Sequence, residues 1–232
     1  MIVCGILIGI AAIALVFYLI EKIKSYSLKS VLIKTFISVL FVAVAIYNTV
    51  VKTEYYKILI IVGLVFGLSG DIFLDLKDVY PNHKKVFMNL GFIVFGVGHL
   101  FFIPAMYVVA APGADFWKSL LPTLVISIGI SACIVWVISK FLKLDFGEMK
   151  IVSFLYSICL FSTPLTALFM LIFFSHEMFI VFMMIGGILF AISDLVLSQT
   201  YFKEGHEKPL DFILNYLFYY SAQFVIAMSL FL

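Results

Sequence analysis

The sequence predicts an all-α membrane protein, a polytopic bundle of about eight transmembrane helices that forms one transmembrane domain over residues 1–232. Hydrophobic residues make up 65% of the chain and charged residues only 12%. Eight apolar stretches are each close to the length of about 20 residues that a helix needs to cross a bilayer. A water-soluble domain could not bury this much apolar surface, so the class is that of membrane proteins.

We predict the spans in chain order from the apolar runs and the polar connections between them. The first run lacks the basic start and the small-residue cleavage site of a signal peptide, so we expect it to be a span. The remaining seven runs are separated by short connections that leave no room for a soluble domain. The predicted spans are 2–20, 31–50, 58–76, 86–110, 119–138, 150–174, 178–200 and 211–231.

The lysines predict how the bundle is oriented. All 15 basic residues are lysine, and 11 of them lie in or next to the connections after spans one, three, five and seven. The opposite connections carry only Lys52, Lys57 and Lys118. The lysine-rich side is expected to face the cytoplasm. We therefore expect a multi-pass protein of a bacterial plasma membrane with both termini on the non-cytoplasmic side.

The third span contains two aspartates. A carboxylate in hydrocarbon costs roughly 2.5–3.5 kcal/mol on insertion scales, so such a residue is a candidate for function. Asp71 and Asp75 are four residues apart and share one helical face. Gly63, Gly67 and Gly70 precede them at a spacing that lets another helix approach closely. We expect these glycines to bring span three against span seven.

Other spans place polar residues at a similar depth. In span seven, Asp194 shares a face with Gly187, Ala191 and Ser198. Because Asp71 and Asp194 both lie deep and both follow small residues, they are the strongest candidates for a functional pair. Span eight carries a polar residue at every fourth position, a pattern that predicts a stripe facing the bundle interior. The residues of that stripe are Asp211, Asn215, Tyr219 and Gln223, and other spans add Lys34, His99, Tyr156 and Thr163.

Several of these residues also have an ordinary structural explanation. Asp75 and Asp211 lie near helix ends, where a carboxylate can reach water. Lys34 can extend its ammonium to the membrane interface. A single histidine such as His99 is common as a hydrogen bonder between helices, and tyrosines are common packing residues.

The order and spacing of four pieces resemble the YhhN-like lysoplasmalogenase family over nearly the whole chain. One position differs, since Lys34 is followed by Thr35 where the family often has proline. The pieces are Gly67-Leu68-Ser69-Gly70-Asp71-Ile72-Phe73-Leu74, then Phe87, Gly91 and Phe95 with Gly98-His99-Leu100, then Gly187-Ile188-Leu189-Phe190-Ala191-Ile192-Ser193-Asp194, then Tyr219-Tyr220-Ser221-Ala222-Gln223.

The resemblance implies an integral membrane hydrolase without a cofactor. Its substrate would be a lysoplasmalogen, a lysophospholipid whose vinyl ether is cleaved to a fatty aldehyde and a glycerophospho-alcohol. A vinyl ether hydrolyses when an acid protonates its β-carbon and water captures the resulting oxocarbenium ion. Two carboxyl groups in a low-dielectric pocket are expected to keep one proton between them, as in glycosidases. We therefore expect Asp71 and Asp194 to be catalytic.

The remaining candidates are expected to bind the substrate. His99, Asn215, Tyr219 and Gln223 would orient water and the glycerol hydroxyls. Lys34 would meet the lipid phosphate, because the chain has no arginine. Asp75 and Tyr156 would complete the substrate-binding set, and the aromatic interior would hold the alkenyl chain.

Three other functions remain open from the sequence. A zinc hydrolase usually needs several histidines, but only His99 lies in a span while His83, His176 and His206 lie in loops, so we expect no metal. A proton-coupled transporter would also use buried aspartates and lysines, although no inverted repeat is present. A non-catalytic lipid-binding protein is the third. Membrane lipids are expected partners, and nucleic acid is not.

Overall fold

The computed structural model describes residues 2–24, 27–50, 53–203 and 208–231, and this part of the chain is almost entirely helical and contains no strand. The structure bears out the prediction of a helical bundle. Lys52 and His206 lie outside the described residues. The helices are α1 (Ile2–Lys24), α2 (Leu28–Thr49), α3 (Tyr55–Val79), α4 (Lys84–Ala110), α5 (Phe116–Ala132), α6 (Ser139–Leu142), α7 (Lys150–Phe173), α8 (Met178–Phe202) and α9 (Pro209–Met228).

The prediction of eight spans is confirmed, because eight segments of the described chain are long and apolar enough to cross a membrane. The fifth is composite: a π-helical stretch, Cys133–Ile138, joins α5 to α6. Spans six, seven and eight are therefore α7, α8 and α9. The helices extend the predicted spans by up to four residues, because helical hydrogen bonding continues through charged residues such as Lys22 and Lys24.

Six helices form a closed ring in which each packs against its two neighbours, in the order α2, α3, α4, α7, α8, α9 and back to α2. The helix α1 packs outside this ring against α2, and α5 packs outside it against α7. Burial agrees with this arrangement: 22% of α1 and of the fifth span is buried, against 39–56% for the six ring helices. The ring helices carry the buried Lys34, Asp71 and Tyr219, and the two outer helices present mainly apolar surface to the surroundings.

The glycines of α3 determine its closest approach, and they face α4 and α9 instead of α8. A Cβ atom at Gly63 would lie 2.9 Å from the carbonyl oxygen of Gly98. A Cβ atom at Gly98 would likewise lie 2.9 Å from the carbonyl oxygen of Gly63. Gly70 faces the ring of Phe95, also on α4, and Gly67 faces the amide of Gln223 on α9. The expectation that these glycines bring span three against span seven is therefore wrong, because helix α8 is not a ring neighbour of α3.

Three lysines assigned to connections are buried: Lys22, Lys57 and Lys77 are each 5–6% exposed. Lys57 is in the first turn of α3, is only 6% exposed, and donates a hydrogen bond to the carbonyl oxygen of Leu230 at 2.9 Å. Carbonyl groups at the end of a helix lack intrahelical partners, so this ammonium stabilises the end of the last span. The orientation of the bundle stays a prediction from the lysines.

Candidate active site

A cavity of about 880 Å³, including space open to solvent, lies inside the ring. Residues from all six ring helices, α2, α3, α4, α7, α8 and α9, line it, together with Ile134 and Val135 of the π-helical stretch and Phe146. Of the nine residues predicted from the sequence as site residues, six line this cavity: Lys34, Asp71, Tyr156, Asp194, Asn215 and Tyr219. The other three, Asp75, His99 and Gln223, lie outside its lining.

Asp71 is held by residues of two neighbouring helices, α2 and α9. It is 2% exposed, and the Lys34 ammonium lies 3.2 Å from its Oδ1. The hydroxyls of Ser38 and Tyr219 donate hydrogen bonds to its Oδ2 at 2.6 Å and 2.7 Å. The Gln223 amide donates to the Tyr219 hydroxyl at 3.0 Å, so Gln223 acts on Asp71 through Tyr219. This arrangement fixes the carboxylate and surrounds it with donors.

Asp75 does not reach water, so the explanation that it is a solvated carboxylate near a helix end is excluded. It is 1% exposed and accepts hydrogen bonds from the Tyr18 hydroxyl at 3.0 Å and from the Lys22 ammonium at 3.0 Å. The Lys34 ammonium lies 3.4 Å from the same carboxylate. Asp75 lies outside the cavity lining because α1 covers it, so its predicted contact with substrate stays a prediction that this geometry does not favour.

Tyr18 and Lys22 are site-associated residues that the sequence reasoning missed. They are four residues apart on α1, so they share the face that packs toward α2 and α9. Lys22 also contacts the Asp78 carboxylate at 2.9 Å. The signal was available in the sequence, since a tyrosine and a lysine at this spacing near the end of an apolar span resemble the polar stripe of span eight.

Lys34 does not extend to the membrane interface. It is 3% exposed, and its ammonium lies between the carboxylates of Asp71 and Asp75 and 5.2 Å from the centre of the Tyr216 ring. Its charge is therefore balanced inside the protein. A contact between Lys34 and a lipid phosphate stays a prediction.

Asp194 enters the cavity from α8, on a different wall from Asp71. It is half-buried and accepts a hydrogen bond from the Tyr156 hydroxyl of α7. Within the described chain, no lysine or histidine forms an ion pair with it. The hydrogen bonds and the ion pair of Asp71 connect it to Ser38, Tyr219 and Lys34, and a proton shared between Asp71 and Asp194 stays a prediction.

The remaining candidates stabilise contacts between helices. His99 is 1% exposed, its Nδ1 lies 2.9 Å from the Thr163 hydroxyl, and its Nε2 has no hydrogen-bond partner in the described part of the chain. The Asn215 amide donates to the backbone oxygen of Ser193 at 2.9 Å and to its hydroxyl at 3.0 Å. Asp211, at the start of α9, is half-buried.

The described residues of this site do not include a set of side chains that could bind a metal ion. Among residues 2–24, 27–50, 53–203 and 208–231, no group of three or more histidine, cysteine, aspartate or glutamate side chains is placed to hold a metal ion. Structural and catalytic zinc sites take three or four such ligands. The chemistry that this arrangement can perform is that of carboxyl groups, tyrosine hydroxyls and one ammonium around a largely apolar cavity.

The comparison with known protein families agrees with the motifs described above. The model of the YhhN family matches residues 29–230, which is nearly the whole chain. The chain belongs to the YhhN family. YhhN is the lysoplasmalogenase family, so the resemblance drawn from the sequence is confirmed. The match leaves out α1, although Tyr18 and Lys22 of this helix contact Asp75 and Asp78. No curated protein and no solved structure matches the chain.

Proposed function

We propose that this YhhN-family protein is a membrane hydrolase that cleaves the vinyl ether bond of lysoplasmalogens, with Asp71 and Asp194 as the catalytic pair. One observation carries the proposal. The two carboxyls line the same largely apolar cavity from α3 and α8, and a tyrosine hydroxyl donates a hydrogen bond to each. A lipid ether that enters this cavity would lie between two carboxyl groups. Membership of the lysoplasmalogenase family supports the same reaction.

The two aspartates differ in their charged neighbours, which supports a division of roles. Asp71 lies 3.2 Å from the Lys34 ammonium, and this ion pair favours its carboxylate form. Asp194 contacts the Tyr156 hydroxyl, and its surroundings in the described chain hold no ion-pair partner. In this proposal Asp194 carries the proton and is the general acid, and Asp71 is the base that activates water.

The reaction begins when Asp194 donates its proton to the β-carbon of the vinyl ether. The electron pair of the double bond forms the new C–H bond, and the α-carbon and the ether oxygen share the resulting positive charge. The negative charge of Asp71 stabilises this oxocarbenium ion, as in glycosidases. Water then adds to the α-carbon and gives up a proton to Asp71. The hemiacetal then breaks its bond to the glycerol oxygen. Asp71 returns its proton to that oxygen and Asp194 takes the proton of the hemiacetal hydroxyl, which yields a fatty aldehyde and a glycerophospho-alcohol and restores both carboxyl groups.

The cavity offers an apolar region for the alkenyl chain. Its lining includes Phe92, Phe95, Leu160, Phe161 and Phe190. The lysine asymmetry supports an orientation with Asp71 and Asp194 in the cytoplasmic half of a bacterial plasma membrane. We propose that the substrate enters with its headgroup toward that side.

The test is aldehyde release from a lysoplasmalogen by purified protein, measured by mass spectrometry. Asp71→Asn and Asp194→Asn are expected to lower turnover by about 100-fold or more, the usual contribution of acid–base catalysis. Asp115→Asn is the matched control. Asp115 caps α5 at an exposed position, and asparagine caps a helix equally well, so turnover should not change.

Two outcomes contradict this proposal. If both variants fold and keep wild-type turnover, Asp71 and Asp194 are not the catalytic pair. If the wild-type protein moves a solute across reconstituted vesicles but releases no aldehyde, the protein is a transporter.

A further inference from the structure

Two serines line the cavity about one helical turn from the contact between Tyr156 and Asp194. Helices α7 and α8 are neighbours in the ring and are joined by a short turn, so they run in opposite directions. Ser153 lies three residues before Tyr156, and Ser198 lies four residues after Asp194. At a rise of 1.5 Å per residue, both lie about 4.5–6 Å from that contact in the same direction. They therefore lie at nearly the same depth on adjacent walls.

The two hydroxyls are in different hydrogen-bonding states. The Ser198 hydroxyl donates its proton to the carbonyl oxygen of Leu195 at 2.7 Å, so only its lone pairs remain for a ligand. Ser153 is 7% exposed, and its hydroxyl has no hydrogen-bond partner within the described chain. By contrast, Ser157 on the same helix donates to the carbonyl oxygen of Phe154 at 2.8 Å. Ser153 therefore keeps a free proton in a buried place, which is costly unless a ligand accepts it.

We propose that Ser153 and Ser198 form a subsite for an alcohol group of the ligand, in which Ser153 donates a hydrogen bond to the alcohol and Ser198 accepts one. An alcohol is both a donor and an acceptor, so it satisfies both serines at once. A phosphate oxygen can only accept and would face the lone pairs of Ser198. An ammonium group can only donate and would leave the Ser153 proton unused.

This inference rests on the proposed function and names the part of the substrate that the site selects. In a lysoplasmalogen, the glycerol carbon next to the ether-bearing carbon carries a free hydroxyl. That oxygen is about five bonds, or about 6 Å when extended, from the β-carbon that Asp194 would protonate. The separation matches the distance along the bundle between Asp194 and the two serines.

The same subsite would reject a lipid with a second chain at that hydroxyl. An ester or ether there has lost the proton that Ser198 accepts. It also adds bulk that the cavity would have to accommodate. A site built to bind a hydroxyl discriminates strongly against an analogue that lacks it, because its own polar groups are left unpaired. Ser153 and Ser198 are therefore the specificity-determining residues for single-chain lipids.

Binding of two uncleavable lipids tests the subsite without relying on the reaction. One is a 1-O-alkyl-glycerophosphocholine with a free hydroxyl at the second glycerol carbon, and the other is its 2-O-methyl ether. Neither contains a vinyl ether. Dissociation constants are measured by native mass spectrometry of the detergent-purified full chain. The wild type is expected to prefer the free hydroxyl by about ten-fold, and Ser198→Ala to reduce that preference to about two-fold or less, because the methyl ether lacks the proton that Ser198 accepts. Ser153 can donate to the oxygen of either lipid, so Ser153→Ala is expected to weaken the binding of both lipids by about ten-fold.

Ser69→Ala is the matched control for these variants. Ser69 is half-buried on α3 outside the cavity, and its hydroxyl donates to the carbonyl oxygen of Val65, an intrahelical bond like that of Ser198. Alanine is a better helix former than serine, so all three variants are expected to fold. The control should keep the wild-type preference.

The outcomes separate this inference from the proposed reaction. Equal binding of the two lipids by the wild type overturns the subsite. A Ser198 variant that keeps the full preference, or a Ser153 variant that binds both lipids as tightly as the wild type, removes that serine from it. If both serine variants have the expected effects but no aldehyde forms from a lysoplasmalogen, the subsite stands and the proposed reaction fails. If aldehyde forms without the preference, the reaction stands and the subsite fails.

Discussion

Lys34 and Asp71 form an ion pair in the interior of the helix ring, with 3.2 Å between the ammonium nitrogen and Oδ1 and exposures of 3% and 2%. The pair joins α2 to α3, and the same ammonium lies 3.4 Å from Asp75. One cation thus serves two buried carboxylates. Removing one partner of a buried pair leaves an uncompensated charge, so this pair should matter for stability as well as for the site.

Lys34→Met is expected to lower the free energy of unfolding by about 3–5 kcal/mol, because two buried carboxylates lose a shared cation. The measurement is denaturant-induced unfolding in detergent micelles, followed by circular dichroism. Lys29→Met is the control, since Lys29 is exposed and its pair with Glu21 should contribute less than about 1 kcal/mol. Similar losses in both variants would show that the burial of Lys34 has no special effect.

Tyr156→Phe and Tyr219→Phe are expected to lower kcat for aldehyde release by about ten-fold, since each removes a hydrogen bond to a candidate catalytic carboxyl. The larger effect should come from Tyr156→Phe. Asp71 keeps Lys34 and Ser38 after loss of the Tyr219 hydroxyl, whereas Tyr156 is the hydrogen-bond partner described for Asp194. The measurement is steady-state kinetics on a lysoplasmalogen.

Tyr47→Phe provides the control for the two tyrosine variants, because Tyr47 is 43% exposed on α2 and lies outside the cavity lining. Its kcat should equal that of the wild type. An unchanged kcat in the Tyr156 variant would remove the tyrosine from the mechanism.

Gly63→Ala is expected to lower the free energy of unfolding by about 1–3 kcal/mol, the usual cost of overpacking. The new Cβ atom would lie less than 3 Å from the Phe102 ring and from the Gly98 carbonyl oxygen, where α3 packs on α4. Gly9→Ala is the matched control on α1, where nothing lies within 4 Å. It should be neutral or slightly stabilising, because alanine favours a helix over glycine. Denaturant-induced unfolding of the two variants gives the two free energies of unfolding. Equal values would contradict the close packing at Gly63.

The helical spans could be predicted well because hydropathy is a local property of the chain. The apolar runs predict all eight spans to within about four residues at each end, which is the accuracy expected of such boundaries. The neighbours of each span could not be predicted in the same way. Gly63, Gly67 and Gly70 indicate a close approach, but nothing in their spacing distinguishes α4 and α9 from α8 as the helices that approach.

The site could be predicted in its residues but not in its contacts. Asp71, Asp194, Tyr156 and Tyr219 attract attention because polar groups are costly in hydrocarbon, and all four line the cavity. Asp75 looked exposed from its position near a helix end, whereas α1 covers it. The sequence does not reveal this, because it does not determine which outer helix packs over which face of the ring.

The sequence by itself determined that this protein is an eight-span membrane helix bundle and which polar residues lie at membrane depth. The cost of placing a charge in hydrocarbon depends on the residue and its position in the span, so it can be read from the chain. Only the tertiary structure decided that Lys34 pairs with Asp71, that Tyr156 contacts Asp194, and that the Ser153 hydroxyl beside the same cavity has no hydrogen-bond partner among the described residues. Those partners lie on different helices, and helix neighbours follow from packing over the whole bundle.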